Sequence, residues 1–417
     1  MKERKVRVLT ALMLMVLAVV ATFNITYFTA TEYYNRLLED LQTQEARYKK
    51  LKEVTAIVDK YYVGEYDEAD ALEMAAAGYV AGLGDTWSGY YTAEQTAAIK
   101  EEDANQYVGI GVTYSVQAEN MYEITSVTAG SPAEREGLLP GDRLLTAAGV
   151  DVTTLENPDD LGALVKGEIG TPVTITVDRA GEELTFQITR DTIVVYSVTS
   201  QLLENNVGYI AIADFNSNVE KEFRSHMSSL TAQGAKGFVF DVRNNPGGFV
   251  NVMHDMLDSL LPEGPVITMV DKAGNQIPLT SDAACLDVPM AVITNPYSIS
   301  AAEFFAAALQ EYGMATVVGE KTGGKGFSQQ TFMLSDGASI NLSTTRYYTP
   351  KGNSLAETGV MPDQLVELSV EDLTLLLSGK LDVLEDEQLQ AALQAVVNRI
   401  PAEVPPTEAP TEAPTAE

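Results

Sequence analysis

Ser300 and Lys325 stand 25 residues apart, each in a short stretch suited to chemistry. Ser300 closes Asn295-Pro-Tyr-Ser-Ile-Ser300, just after the apolar run PMAVIT, and opens a helical run beginning Ala-Ala-Glu303. Lys325 lies in Gly323-Gly-Lys325-Gly326, with Gln329 four residues on. Attack on a carbonyl needs an exposed hydroxyl, a base, and donors for the developing oxyanion. The chain has only two histidines, so a lysine is the stronger candidate to activate the serine. A lysine serves as base only when its amine is neutral, and burial or a nearby cation brings that about. Gln329 is placed to hold the amine through its carbonyl.

Each member of this set also has a plainer reading. Ser300-Ala-Ala-Glu303 is a capping box, in which the hydroxyl only caps the helix. Lys325 between glycines suits an exposed loop lysine. Gly319-Glu-Lys-Thr-Gly-Gly324-Lys325 matches most of a phosphate-binding G-x-x-x-x-G-K-[ST] loop, but Gly326 replaces the hydroxyl residue that would ligate magnesium. Asn244-Asn-Pro-Gly247-Gly248 is a strong turn after the strand-like FVFDVR. Its glycines, like Ala301 at the helix start, can present backbone N–H groups to an oxyanion. His226 and His254 lie in no metal-ligand spacing, and no G-x-S-x-G elbow accompanies them. No metal or cofactor is expected.

The elements around these residues alternate. From about 193 onward, β-type runs (VGYIAIADF, AKGFVFDVR, PMAVIT, ATVVGE) interleave with amphipathic stretches, which predicts an α/β core. From about 106 to 192 the runs are short and β-type, broken by Gly and Pro. Helical patterns are predicted over about 31–62 and 69–83, the second stopping at Gly82-Leu-Gly-Asp-Thr. The apolar stripe of the first suits a packing face or a homodimer seam.

Both ends are distinctive. A basic lead, Met1-Lys-Glu-Arg-Lys-Val-Arg7, precedes an apolar run from Val8 to about Phe23. This fits a signal peptide or, better, an uncleaved anchor, with later residues outside the cytoplasm by the positive-inside rule. The last residues, PPTEAPTEAPTAE, cannot bury enough apolar surface to order and predict a disordered tail. With 59 Asp and Glu against 27 Lys and Arg, the chain lacks the basic surface that nucleic-acid binding requires. Cys285 is the only cysteine, which excludes an intrachain disulfide. It is expected to be a small buried residue.

The stretch SPAEREGLLPGDRLLTAAG resembles a PDZ domain, with its small helix and Gly-Asp turn into a strand. The resemblance implies capture of an extended C-terminal tail, with its carboxylate held by the backbone of Tyr107-Val108-Gly109-Ile110-Gly111. Over residues from about 50 to 395 the chain resembles the C-terminal processing peptidases, or tail-specific proteases. GYVAGLGDTWSGYYTAEQ, GYIAIADF, GFVFDVRNNPGG, TNPYSISAAEF, VVGEKTGGKGFSQ, YYTPKG, GVMPD and DEQLQAAL carry this in order. The resemblance implies Ser300 as nucleophile, Lys325 as general base, Gln329 as its positioner, and an oxyanion hole from Ala301 with Gly247 or Gly248. Tyr297-Ser298 replaces the family's usual Gly-Ser or Gly-Thr, and Ile299 a small residue.

The expected architecture is multidomain α/β: a membrane anchor (1–30), a helical region (31–104), a PDZ domain (105–192), and a Ser/Lys protease core (193–370, with contributions from 60–104). A C-terminal helical region (371–400) and the disordered tail (401–417) follow. The expected function is that of a membrane-anchored, extracytoplasmic serine endopeptidase acting on protein or peptide C-termini. The alternative is an inert PDZ scaffold that binds tails.

Overall fold

The computed structural model describes residues 8–117, 121–155, 157, 160–377, 380–383 and 385–401. The basic lead and all of the Pro-Thr-Glu tail beyond 401 lie outside the described residues.

Two units are separable, residues 1–72 and 73–417. The first is dominated by one helix, α1 (Val8–Tyr61), so the expected anchor and helical region run together without a break. Its segment Thr10–Leu38 contains an 18-residue window of mean hydropathy 2.1 and is long and apolar enough to cross a membrane. Helix α2 (Glu68–Ala81) follows.

In the second unit, β1 (Gly89–Tyr91) and α3 (Ala93–Asp103) lead into a β-rich region. The expected single run YVGIGVTY is two strands, β2 (Gln106–Gly109) and β3 (Val112–Gln117), because Gly111 turns the chain at φ 84°. Then come β4 (Met121–Val127), α4 (Pro132–Glu136), β5 (Arg143–Ala147), β6 (Val150–Asp151), α5 (Asp160–Val165), β7 (Pro172–Arg179), β8 (Glu182–Thr189) and β9 (Asp191–Val194). Strands β3 to β8 form one sheet, while β2 and β9 pair as a separate two-stranded sheet. Ser131 caps α4, Pro132 sits in its first turn and Gly137 ends it in the left-handed conformation. Asp142, in the turn that follows, is 1% exposed and takes two bonds from Arg179 at 2.6 and 2.7 Å. Burial works against its charge, but Arg179 and the Leu139 N–H hold its carboxyl below the ordinary range.

The core comprises β10 (Val198–Leu203), β11 (Val207–Ile212), α6 (Val219–Ala232), β12 (Gly237–Asp241), α7 (Val250–Asp258), β13 (Gly264–Asp271), β14 (Gln276–Ser281), β15 (Met290–Thr294), α8 (Ala301–Glu311) and β16 (Ala315–Gly319). It continues through β17 (Phe327–Met333), β18 (Ser339–Tyr348), β19 (Gln364–Leu365), α9 (Val370–Leu377) and α10 (Glu387–Val397). The main sheet runs β10-β11-β12-β15-β16-β19, with every pairing parallel except β10 with β11. Its central strands are buried on both faces, as parallel strands must be. Phe238 and Phe240 face a core with Phe223, Phe304 and Phe305, whereas Val239 faces Leu389, Ala392 and Val396 of α10.

Adjacent parallel strands β12 and β15 are not consecutive in the chain, and both candidate turns leave their C-terminal ends. Ligands in open α/β sheets bind at that kind of edge. Below it, Arg243 is buried among Asp241, Asp386 and the Gln388 carbonyl, bonded at 2.5 to 3.1 Å, which ties β12 to the start of α10. A second, antiparallel sheet (β1-β18-β13-β14, with β17 on β18) carries the lysine side of the site.

Candidate active site

The two turns from β12 and β15 interlock through buried amides. Asn244 N–H donates to Asn295 Oδ1 at 3.0 Å, and Asn295 Nδ2 returns a bond to Asn244 Oδ1 at 2.8 Å. The Ser298 hydroxyl donates to the Val242 carbonyl at 2.7 Å, and Ile299 N–H to the Asn245 carbonyl at 2.9 Å. Ser298 is thus a strut of the turn, while Tyr297 points outward, 54% exposed.

Ser300 sits where these turns meet. Its backbone has φ 58° and ψ −118°, whereas an ordinary N-cap residue is extended. Such geometry costs about 1–3 kcal/mol and is found where function over-determines the backbone. Gly247 lies so close that a Cβ there would come 2.8 Å from Ser300 Cβ and 3.1 Å from Ala301 N. The Ala301 and Gly248 N–H groups have no acceptor among the described residues, while Gly247 N–H is occupied by Asn245 Oδ1 at 2.8 Å. Of the two glycines, Gly248 is therefore the one whose N–H is left unpaired.

Glu303, 0% exposed, closes the capping box by accepting from Ser300 N–H at 2.8 Å. It does more than cap. The same carboxylate accepts from the Thr322 hydroxyl (2.6 Å), Gly324 N–H (2.7 Å) and Lys325 N–H (2.8 Å). The nucleotide-binding reading fails here: the loop after β16 leads into a strand, and two of its N–H groups are spent on Glu303.

The Lys325 amine lies 4.7 Å from the centre of the Trp87 ring. Burial pushes its pKa down, Glu303 and Asp85 push it up, and the net is below the ordinary lysine range. Asp85 accepts from Trp87 N–H at 3.1 Å and from the Ser88 hydroxyl at 2.5 Å. Burial raises the Asp85 carboxyl, but Ser88, Ser343, Trp87 N–H and the Lys325 charge bring it net below the usual carboxylate range. Gln329 donates to the Phe327 carbonyl at 3.1 Å and to Ser343 Oγ at 3.0 Å. Ser300 and Lys325 are therefore brought together through Glu303, but no hydrogen bond joins the serine hydroxyl to Lys325 or Gln329 among the described residues.

In the β-rich region a cavity of about 200 Å³ opens between β3 and α5, lined by Ile110, Gly111, Val112, Leu161, Val165 and Lys166 among others. Tyr107, Val108 and Gly109 are strand residues paired with β9, so the loop proper is Ile110–Gly111. Lys166, at the rim, pairs with Glu101 at 3.0 Å and lies over Tyr107.

Three residues acquire roles that sequence reasoning did not assign: Asp85, Trp87 and, beyond capping, Glu303. Asp85 and Trp87 stand in the GDTWS stretch, a signal present but unread. Cys285 is exposed, contrary to expectation, because it falls on the loop between β14 and β15 rather than in either core. His226 bonds Ser200 at 2.7 Å and His254 the Thr280 carbonyl at 3.0 Å, so both serve helix packing.

A family model for peptidase family S41 matches residues 206–366, and one for PDZ domains matches 123–179. A carboxyl-terminal-processing protease of Synechocystis is 37% identical over 308 residues, covering 72% of this chain and 71% of its own. The carboxy-terminal processing protease CtpA of Bacillus subtilis is 30% identical, covering 78% and 70%. The solved photosystem II D1 C-terminal processing protease aligns at 26% identity, covering 82% of this chain and 92% of its own, with a TM-score of 0.47.

Proposed function

The chain belongs to the C-terminal processing serine proteases of peptidase family S41, and we propose that it cleaves extended protein tails with Ser300 as nucleophile and Lys325 as general base. The observation that carries this is the strained Ser300 backbone, with Gly247 packed against it and the Ala301 and Gly248 N–H groups unpaired. In the proposed reaction the neutral Lys325 amine takes the Ser300 proton as Oγ attacks the scissile carbonyl. The oxyanion is held by Ala301 and Gly248 N–H groups, and Lys325 then protonates the leaving amine. Water releases the acyl group from Ser300, with Lys325 again as base. Gln329 would leave Ser343 to hold the amine once Lys325 has left Trp87.

The PDZ groove, by the same reading, takes the substrate's C-terminal residue into the apolar cavity beside Ile110 and its carboxylate on the loop backbone. The apolar Thr10–Leu38 segment, with Lys2, Arg4, Lys5 and Arg7 before it, supports a single-pass anchor with the catalytic unit outside the cytoplasm. Extraction of the full chain from membranes by alkaline carbonate would break that part of the reading. A homodimer through α1 is supported by its apolar residues, and a monomer by light scattering in detergent would count against it.

The test is cleavage of an unfolded reporter with a C-terminal tail by the full chain and by Ser300→Ala. Loss of about 10⁶-fold in kcat is expected. Equal activity in both would sink the assignment. The inert-scaffold reading is not retained for a chain of this peptidase family.

A further inference from the structure

Glu303 has a position that neither capping nor the proposed proton transfers explain. Its carboxylate is fully buried, and no cation lies within ion-pair distance among the described residues. Two oxygens offer about four acceptor positions. Four donors fill them: one from the nucleophile's own N–H, three from the loop that delivers Lys325. Burying an ionised carboxylate is costly unless hydrogen bonds replace its water, and these four at 2.6 to 2.8 Å, with the N-terminus of α8, do so.

We propose that Glu303 is the positioning residue of this centre, a single buried carboxylate that fastens the Ser300 turn to the Lys325 loop; the role rests on the serine–lysine reading above. A helix cap alone would need only the bond to Ser300 N–H. The bonds to Thr322, Gly324 and Lys325 cross to a loop about twenty residues away, and they fix where the lysine side chain begins its path. The carboxylate also acts on the lysine at a distance. The charged groups that face the Lys325 amine are Glu303 on α8 and Asp85 before β1, beside the Trp87 ring, and both carboxylates favour the protonated amine.

Glutamine at 303 keeps the shape, removes the charge, and turns an NH₂ toward donors that need an acceptor. Aspartate keeps the charge but is one methylene too short to reach both turns. The experiment compares kcat, KM and the pH profile of kcat/KM for the full chain, Glu303→Gln, Glu303→Asp and Ser300→Ala on the tailed reporter. For Glu303→Gln a fall in kcat of about 100-fold is expected, as for a misplaced catalytic group, with KM little changed. Loss of the negative charge lowers the pKa of Lys325, so the acidic limb of the profile moves to lower pH. Glu303→Asp loses kcat while keeping the wild-type limb. A merely structural role would lower active protein without moving the limb, and that result, or wild-type kcat in Glu303→Gln, overturns the proposal. Should Glu303→Gln fail to fold, Thr322→Val decides, since it removes one donor to the carboxylate, together with the acceptor that the same hydroxyl offers Val360 N–H. A drop in kcat at constant KM then supports the role, and an unchanged kcat overturns it. Equal rates in wild type and Ser300→Ala would instead sink the serine–lysine reading itself, and this role with it.

Discussion

The turn that carries Ser300 and the strand that carries Gln329 sit on different sheets and are built differently. On the serine side, asparagines in the turns after two parallel strands bond each other, Gly247 is wedged against Ser300, and two N–H groups are left without an acceptor among the described residues. Little there can move without breaking several buried bonds. On the lysine side the backbone is pinned by Glu303, yet the side chains are turned elsewhere, Lys325 to Trp87 and Gln329 to Ser343. The difference teaches that, in the proposed mechanism, the oxyanion half is set in advance, whereas Lys325 and Gln329 must first leave Trp87 and Ser343.

After the loss of the Ser300 hydroxyl itself, the largest effect should come from the mobile half. Lys325→Ala is expected to lose about 10⁴-fold or more in kcat with tail binding retained, measured by single-turnover cleavage and peptide titration. The surviving wild-type profile should rise with pH through a lysine pKa below the ordinary range, because only the neutral amine accepts the proton. A profile flat through that region would remove Lys325 as the base. Next is the rigid half. Gly247→Ala places a Cβ 2.9 Å from the Ile299 carbonyl at φ 103°, so the interlocked turns must separate. A loss of about 10²–10³ in kcat, comparable with deleting an oxyanion donor, is expected. If that variant cleaves normally, the serine side is softer than its hydrogen bonds imply.

How much of this was legible in the sequence divides along the same line. The α/β alternation, the PDZ signature and the placing of Ser300 after a buried strand follow from period and turn residues, which are local. The helical pattern of 31–62 was readable too, but not its continuity with the apolar segment, since no breaker separates them and none is needed. What could not be read was long-range. Ser343 N–H meets Ser88 Oγ across 255 residues, and this contact brings Asp85 and Trp87 to the lysine. Ser300-Ala-Ala-Glu303 reads as a cap because the tetrapeptide cannot reveal φ 58°, nor that Glu303 serves the lysine loop as well. The exposure of Cys285 was missed because residue type alone does not say which loop leaves the core.

Smaller effects probe the two halves separately. The Trp87 ring favours the protonated amine by about 1 kcal/mol. Trp87→Leu should therefore lower the pKa of Lys325, shift the acidic limb to lower pH and raise the rate at neutral pH several-fold. An unchanged profile would mean that the ring does not govern the lysine.

The smallest effect tests the strain itself. In the inactive background, Ser300→Gly should be more stable to denaturant than Ser300→Ala by about 1 kcal/mol, since glycine relieves 1–3 kcal/mol of backbone strain while costing 0.5–1 kcal/mol in chain entropy. Both variants lack the hydroxyl, so the difference reports the backbone alone. Equal stability would mean that the interlocked asparagines do not force Ser300 into its conformation, and the contrast between a rigid serine side and a movable lysine side would lose its energetic basis.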